Sequence, residues 1–280
     1  MRQIRTFAVV EDGTGDRPLV FDPLTGAAHR GPQPLPRGRV AMDDQQVTGW
    51  PEERRAPLLA VSAPSRTFTD AHVALPALGQ ASIVAVNLLA TGPDETLVRS
   101  ARLLHRAGLL VTVTTNRPGL PRLAEDLAGV VHALRVRLHA PTEFEHDTLA
   151  LPHQASYQQS LSGIRAAIDA GLPVQLLVEA PPPTVGDAGR LLLVDAAVHR
   201  AAQLGVCGLT LLPGPGSLAG RSTARGAARA LEVRAHLLHR RSSTGLRVPV
   251  RIGVGRAERP ASRVGTLAEL GTATAAAEVA

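Results

Sequence analysis

From Leu58 onward, short apolar runs alternate with stretches whose apolar residues return every three or four positions. The runs predict strands over Leu58–Ser62, Ser82–Leu89, Leu109–Thr115, Ala133–Leu138, Val174–Glu179, Gly208–Leu212 and Val248–Ile252. Helices are expected between them, over Glu95–Ala107, Pro121–Leu127, Tyr157–Ala170, Gly189–Leu204 and Thr223–His239. The helical spacing is clearest in Leu97, Ala101 and Leu104, and again in Leu161, Ile164 and Ile168. Gly108 and Gly171 stand just past two of these helices, where a left-handed cap favours glycine. Alternating strands and helices imply α/β architecture, with parallel strands joined by right-handed crossovers. Six or seven such strands point to a (β/α)6-type partial TIM barrel.

Residues 1–57 have a different pattern. Phe7–Val10 and Leu19–Phe21 flank the turn-rich EDGTGDRP, which predicts a β-hairpin. GPQPLPRGR (31–39) reads as a Pro/Gly linker. The expected organisation is an N-terminal hairpin extension over 1–57, a barrel over 58–260, and a frayed tail over 261–280.

Composition removes several functions. The chain has 280 residues, enough for one large α/β domain, and 44% are hydrophobic. Only 2% are aromatic, so the core must be Leu, Val and Ala. All 30 basic residues are arginine. Without lysine, Schiff-base and pyridoxal-phosphate chemistry is excluded, as is a GK[ST] phosphate loop. The net charge of +6 is modest and scattered among acids, and stacking aromatics are nearly absent, so no nucleic-acid partner is expected. Charges near the N-terminus stand where a signal peptide needs an apolar run, and no apolar run is long enough to span a bilayer. A cytoplasmic protein with no membrane partner is the expectation.

Side chains at the C-terminal ends of parallel strands line the site in folds of this kind. The candidates are Asn87, Thr115 and Asn116 for ligand binding, and Arg137, His139 and Glu179 for catalysis. Strand alternation puts Arg137 and His139 on one face. There the guanidinium either holds a carboxylate or phosphate, or pairs with Glu179 or another acid. His139 and His146, with Glu143, Glu145 and Asp147, have metal-ligand chemistry, but no metal is expected. GPGSLAG (214–220) is a Gly-rich loop without a nucleotide-binding spacing. His105, His132 and His236 are expected to be packing or surface residues. Cys207, the one cysteine, reads as a buried structural thiol.

The ordered run AGLLVTVTTN, LAEDLAG, LRVRLHAP, EHD and GIRAAIDAGLPV resembles the core of radical S-adenosylmethionine enzymes, nearest to their peptide- and small-molecule-modifying branch. VTVTTN resembles the family's third strand, which ends in TNG; Arg117 replaces that glycine. LRVRLHAP resembles the fourth, with Arg137 where serine and His139 where aspartate are common. The resemblance covers about residues 58–252. It implies a C-x3-C-x2-C loop after the first strand, because soft thiolates hold iron–sulfur clusters. Those positions fall near Thr67, Ala71 and Ala74, so no cluster is expected. The cofactor-binding Gly-Gly-Glu falls at Leu88, Leu89 and Ala90, so S-adenosylmethionine binding is expected to be weak or absent.

The expected function is therefore a cluster-less homologue, a pseudoenzyme acting as a binding or scaffold partner. Its partner would be a catalytically complete radical S-adenosylmethionine relative or a peptide substrate. One alternative is a redox-neutral enzyme using Arg137, His139 and Glu179. Another is S-adenosylmethionine binding without reductive cleavage.

Overall fold

The computed structural model describes residues 4–10, 18–22, 28–31, 38–43, 50, 60–68, 75–76, 78, 83–90, 92–179, 187–212, 250–252 and 264–265. The fold class is the expected one: α/β, with parallel strands and helices alternating in the order of a (β/α)6-type partial TIM barrel, beside an antiparallel N-terminal sheet. The expected helix over Thr223–His239, the loop over 214–220, His236, and positions Ala71 and Ala74 lie outside the described residues. The described residues group into two compact units.

The first unit takes the described residues of Met1–Thr114, Glu125–Leu134 and Arg259–Ala280. The expected hairpin is there, but as part of a larger sheet. Strands β1 (Ile4–Val10), β2 (Leu19–Phe21), β3 (Ala28–Arg30) and β4 (Gly38–Asp43) pair antiparallel in the order β3-β2-β1-β4. Gly38 and Arg39, read above as linker, belong to β4 and pair with Val9 and Ala8. Alternation gives this sheet two apolar faces. Phe7, Val9, Val20 and Met42 form one cluster with Val40 and Trp50. Ala8, Leu19, Phe21 and Ala28 pack with Ala85 and Leu110, the first residues of two parallel strands. The antiparallel sheet thus covers the N-terminal ends of those strands.

The parallel strands of this unit are β5 (Ala60–Pro64), β6 (Ala85–Leu89), β7 (Leu110–Thr115) and β12 (Val264–Gly265), in the order β12-β5-β6-β7. β5 extends two residues beyond its expected end, to Pro64, which pairs with Leu89. β6 starts three residues late, because the Ile83 N–H turns back to the Leu78 carbonyl. Helix α1 (Asp94–Arg106) buries Leu97, Val98, Ala101 and Leu104, and carries Asp94 and Glu95 in its first turn, where they complement the dipole. Gly108 follows it at φ 87°, in the left-handed region the sequence called for.

Helix α2 (Leu120–Leu127) links the units in sequence, and its first residues belong to the second. The second unit takes the described residues of Thr115–Ala124 and Arg135–Glu258. Its strands β8 (Ala133–Leu138), β9 (Val174–Glu179), β10 (Gly208–Leu212) and β11 (Val250–Ile252) follow the order β8-β9-β10-β11. The first three have the expected bounds. Helices α3 (Glu143–Leu149), α4 (Tyr157–Asp169) and α5 (Asp187–Leu204) accompany them. α4 starts at a capping box, in which the Ser156 hydroxyl accepts the Gln159 N–H and the Gln159 side chain accepts the Ser156 N–H. Cys207 is buried beside the start of β10, and its N–H donates to the Val174 carbonyl. Among the described residues, no helix is long and apolar enough to cross a membrane.

Candidate functional site

The second unit brings Arg137, His139 and Glu179 together. Arg137 is the fifth residue of β8, His139 follows the strand by one residue, and Glu179 ends β9. Alternation turns Arg137 and His139 to the same side, as expected. Arg137 Nε donates to Glu179 Oε1 at 2.7 Å, and Arg137 Nη2 meets the same oxygen. His139 Nδ1 lies 3.2 Å from that oxygen, and His139 Nε2 lies 2.8 Å from Gln154 Oε1. Burial pushes the Glu179 carboxyl up; the His139 hydrogen bond and the Arg137 charge outweigh it and hold the group below the ordinary glutamate range.

Gln154 carries no motif and was not among the expected site residues. Its Oε1 also accepts the Leu151 N–H at 2.8 Å, which identifies that atom as the oxygen. His139 Nε2 must therefore donate to it. His139 Nδ1 faces a carboxylate oxygen, which only accepts. Both ring contacts are hydrogen bonds only when both nitrogens carry protons.

His146, fully buried on α3, is the opposite case. Its Nδ1 accepts the His139 N–H at 3.1 Å, and its Nε2 donates to the Ala155 carbonyl at 3.1 Å. These partners require a neutral ring with its proton on Nε2. Burial lowers its pKa, in agreement. The acids near it are likewise engaged. Asp147 Oδ1 accepts the Tyr157 N–H at 2.7 Å, Glu143 accepts from Gln158 Nε2, and Glu145 accepts from the Thr142 hydroxyl. Tyr157 Oη donates to the Pro141 carbonyl at 2.6 Å. The cluster read from the sequence as possible metal ligands ties the loop after β8 to the start of α4. Among the described residues, no group of three or more His, Cys, Asp or Glu side chains is placed to hold a metal.

Thr115 ends β7, where its Oγ1 accepts the Arg117 N–H at 3.1 Å, and the Asn116 carbonyl accepts the Ala155 N–H at 2.8 Å. Asn87 occupies the middle of β6 in the first unit, rather than a strand end. Its Nδ2 donates to Ser62 Oγ, and its Oδ1 accepts from the Thr112 and Thr114 hydroxyls, both at 3.0 Å. It is a cross-strand polar bridge on a buried row. A matching pair in the second unit, Gln175 Nε2 to Thr210 Oγ1 at 2.9 Å, was also missed. Single polar residues inside otherwise apolar strands were the signal for both.

The positions that the family resemblance assigns to a cluster and its cofactor carry no thiolate and no carboxylate. Thr67 lies exposed on a 3-10 turn, Ser65–Phe68, beyond β5. Leu88 is fully buried within β6, and Leu89 and Ala90 offer no carboxylate. Cys207, the one cysteine, is buried beside the start of β10, and a single thiolate is no ligand set for a cluster.

No family model and no curated protein sequence matches the chain. Among solved structures it is similar to Streptococcus suis SuiB bound to precursor peptide SuiA. The TM-score is 0.51 at 9% identity, covering 71% of this chain and 49% of that one. SuiB bound to S-adenosylmethionine gives a TM-score of 0.50 at 9% identity, covering 71% and 48%. A domain of pyruvate-formate lyase-activating enzyme from Bacteroides vulgatus gives 0.43 at 14% identity, covering 59% and 98%. The chain spans about half the length of the SuiB structures. Likeness at such identities speaks for the fold alone.

Proposed function

We propose that this chain is a radical S-adenosylmethionine-type barrel that has given up cluster chemistry and works as a binding or scaffold partner in peptide modification. The observation that carries the reading is a SuiB-like fold on a chain whose sole cysteine is buried beside β10. By the family resemblance, Thr67 and Leu88 to Ala90 take the places of the cluster and cofactor ligands. None supplies a thiolate or a carboxylate. The partner is a peptide substrate or a catalytically complete relative. SuiB supports the peptide, since one of its structures is bound to a precursor peptide.

A second reading has one observation in its favour. Arg137, His139 and Glu179 converge at the ends of two neighbouring strands, as an anion holder and an acid/base pair would in a redox-neutral enzyme. S-adenosylmethionine binding without cleavage has less support, because the Gly-Gly-Glu positions lack the carboxylate that would meet the cofactor's ammonium group.

Two experiments separate these. Anaerobic reconstitution with iron and sulfide, followed by iron analysis and absorption spectra, is expected to give no stoichiometric cluster. In a strain lacking the gene, Arg137→Ala, His139→Ala and Glu179→Ala are each expected to restore pathway product in proportion to folded protein. Three well-folded variants that restore none would replace the scaffold reading with catalysis, because a transition-state interaction is lost without loss of fold.

A further inference from the structure

We propose that Arg137 anchors an acidic side chain of a bound peptide, whose carboxylate docks on the outer edge of the guanidinium beside the ends of β8 and β9. This deepens the binding-partner reading and rests on it. The first support is how Arg137 is held. Its side chain is 46% exposed, against 12% for Glu179 and 10% for His139. Both of its engaged nitrogens, Nε and Nη2, converge on the one oxygen Glu179 Oε1. A planar guanidinium held along its Nε–Nη2 side turns its Nη1–Nη2 end away from Glu179, and such an end can bind a carboxylate through two parallel bonds. Glu179 thus acts as a positioning residue: it fixes the plane of the fork.

Charge is the second support. Glu179 Oε1 is shared between the Arg137 guanidinium and His139 Nδ1, so the arginine does not have that carboxylate to itself. Gln154 and His146, the other groups that touch His139, are neutral by their partners, while the Asp147 carboxylate accepts the Tyr157 N–H and keeps its charge. At the guanidinium itself the exposed outer edge attracts an incoming carboxylate.

The third support selects a peptide over a small free acid. Leu151, whose N–H shares Gln154 Oε1 with His139, is 54% exposed. A small acid has no use for that exposed apolar side chain, whereas a peptide with apolar residues next to an acidic one uses both it and the cation.

The test titrates the full chain, at about pH 6, with two blocked pentapeptides and with sodium acetate, by calorimetry and arginine side-chain NMR. The peptides alternate alanine and leucine around a central glutamate or glutamine. The glutamate peptide is expected to bind at least about tenfold tighter than the glutamine peptide and than acetate, with the Arg137 resonances moving. Arg137→Gln should abolish that preference, and Glu179→Gln should keep it. Equal binding of the two peptides, a preference surviving in Arg137→Gln, or acetate binding as tightly as the glutamate peptide would each overturn the proposal. The comparison of peptides on the unaltered protein decides even where Arg137→Gln fails to fold. The reconstitution and complementation experiments use no such peptides, so the carboxylate anchor can fail while the cluster-less reading stands.

Discussion

His139 reaches Glu179 through Nδ1 at 3.2 Å while its other nitrogen is held by an oxygen already identified by a backbone N–H. The ring thus lies between two acceptors, and seven residues on, His146 lies between a donor and an acceptor. Nitrogen NMR is expected to find His146 with a proton on Nε2 and a bare Nδ1, the tautomer its donor and acceptor partners require. A proton on His146 Nδ1 would break the bond from the His139 N–H and mean that the loop after β8 is held by other contacts.

The strands that carry this site were legible because β8, β9 and β10 are apolar runs with abrupt ends, and parallel pairing admits few other lengths. Arg137, His139 and Glu179 were found by asking what stands at those ends. α3 was not found as a helix, because its inward residue is His146 and its apolar Phe144 and Leu149 face out, so the usual periodicity is absent. The spacing Thr142-x-x-Glu145 was the available sign, and the Thr142 hydroxyl does donate to Glu145. Gln154 had no sign at all: its role arises from a loop that brings it beside a residue fifteen positions earlier. β3 and β4 were hidden by shortness and by the Pro/Gly content of the stretch before β4.

Gly163 is fixed by its neighbour Leu120. A Cβ there would stand 2.9 Å from both Cβ and Cδ2 of Leu120, which is itself buried. Alanine within a helix gains about 1 kcal/mol over glycine in propensity. Overpacking a filled site costs about 1–3 kcal/mol, and the Leu120 Cβ has little freedom to retreat. Gly163→Ala is therefore expected to lower stability by about 1 kcal/mol net, measured as a shift of the urea midpoint. Combined with Leu120→Ala it should cost less than the two single changes added together. A Gly163→Ala protein more stable than the parent would mean that α2 and α4 can separate freely.

His132 makes the protein sensitive to acid. Its Nδ1 accepts the Val111 N–H at 3.1 Å, and its ring stacks on His105. Burial first, then the charges of Arg39 and His105, lower its pKa to about 4. Between about 4 and 6.5 the unfolded chain holds a proton that the folded chain does not, so acidification favours unfolding. The stability is present above 6.5 and is lost as pH falls toward 4, with an upper bound of about 3 kcal/mol for this partly buried ring. His132→Asn keeps an acceptor for Val111 and removes the titration. Its urea midpoint is expected to fall less than that of the parent between these two pH values, and equal falls would place the acid sensitivity elsewhere.

Arg39 ties β4 to the end of α1 and acts on the same histidine. Its Nε donates to the Gly108 carbonyl at 3.1 Å, and its Nη2 to the carbonyls of His105 at 3.1 Å and Leu109 at 3.3 Å. The His105 carbonyl lies in the last turn of α1 and the other two follow the helix, where a cation is favoured. The contacts are exposed, so Arg39→Met is expected to cost only about 1 kcal/mol at neutral pH, with faster hydrogen exchange in the last turn of α1. The same change removes a positive charge that lowers the His132 pKa. The histidine should then titrate nearer its ordinary value, and the span of pH over which folded and unfolded chains differ in bound protons becomes narrower. Arg39→Met is thus less stable than the parent at pH 7 but loses less on acidification. Denaturant midpoints at both pH values, with the His132 ring followed by NMR, measure the two effects separately. A variant that loses as much on acidification as the parent, with an unmoved His132 titration, would show that Arg39 serves only as a helix cap.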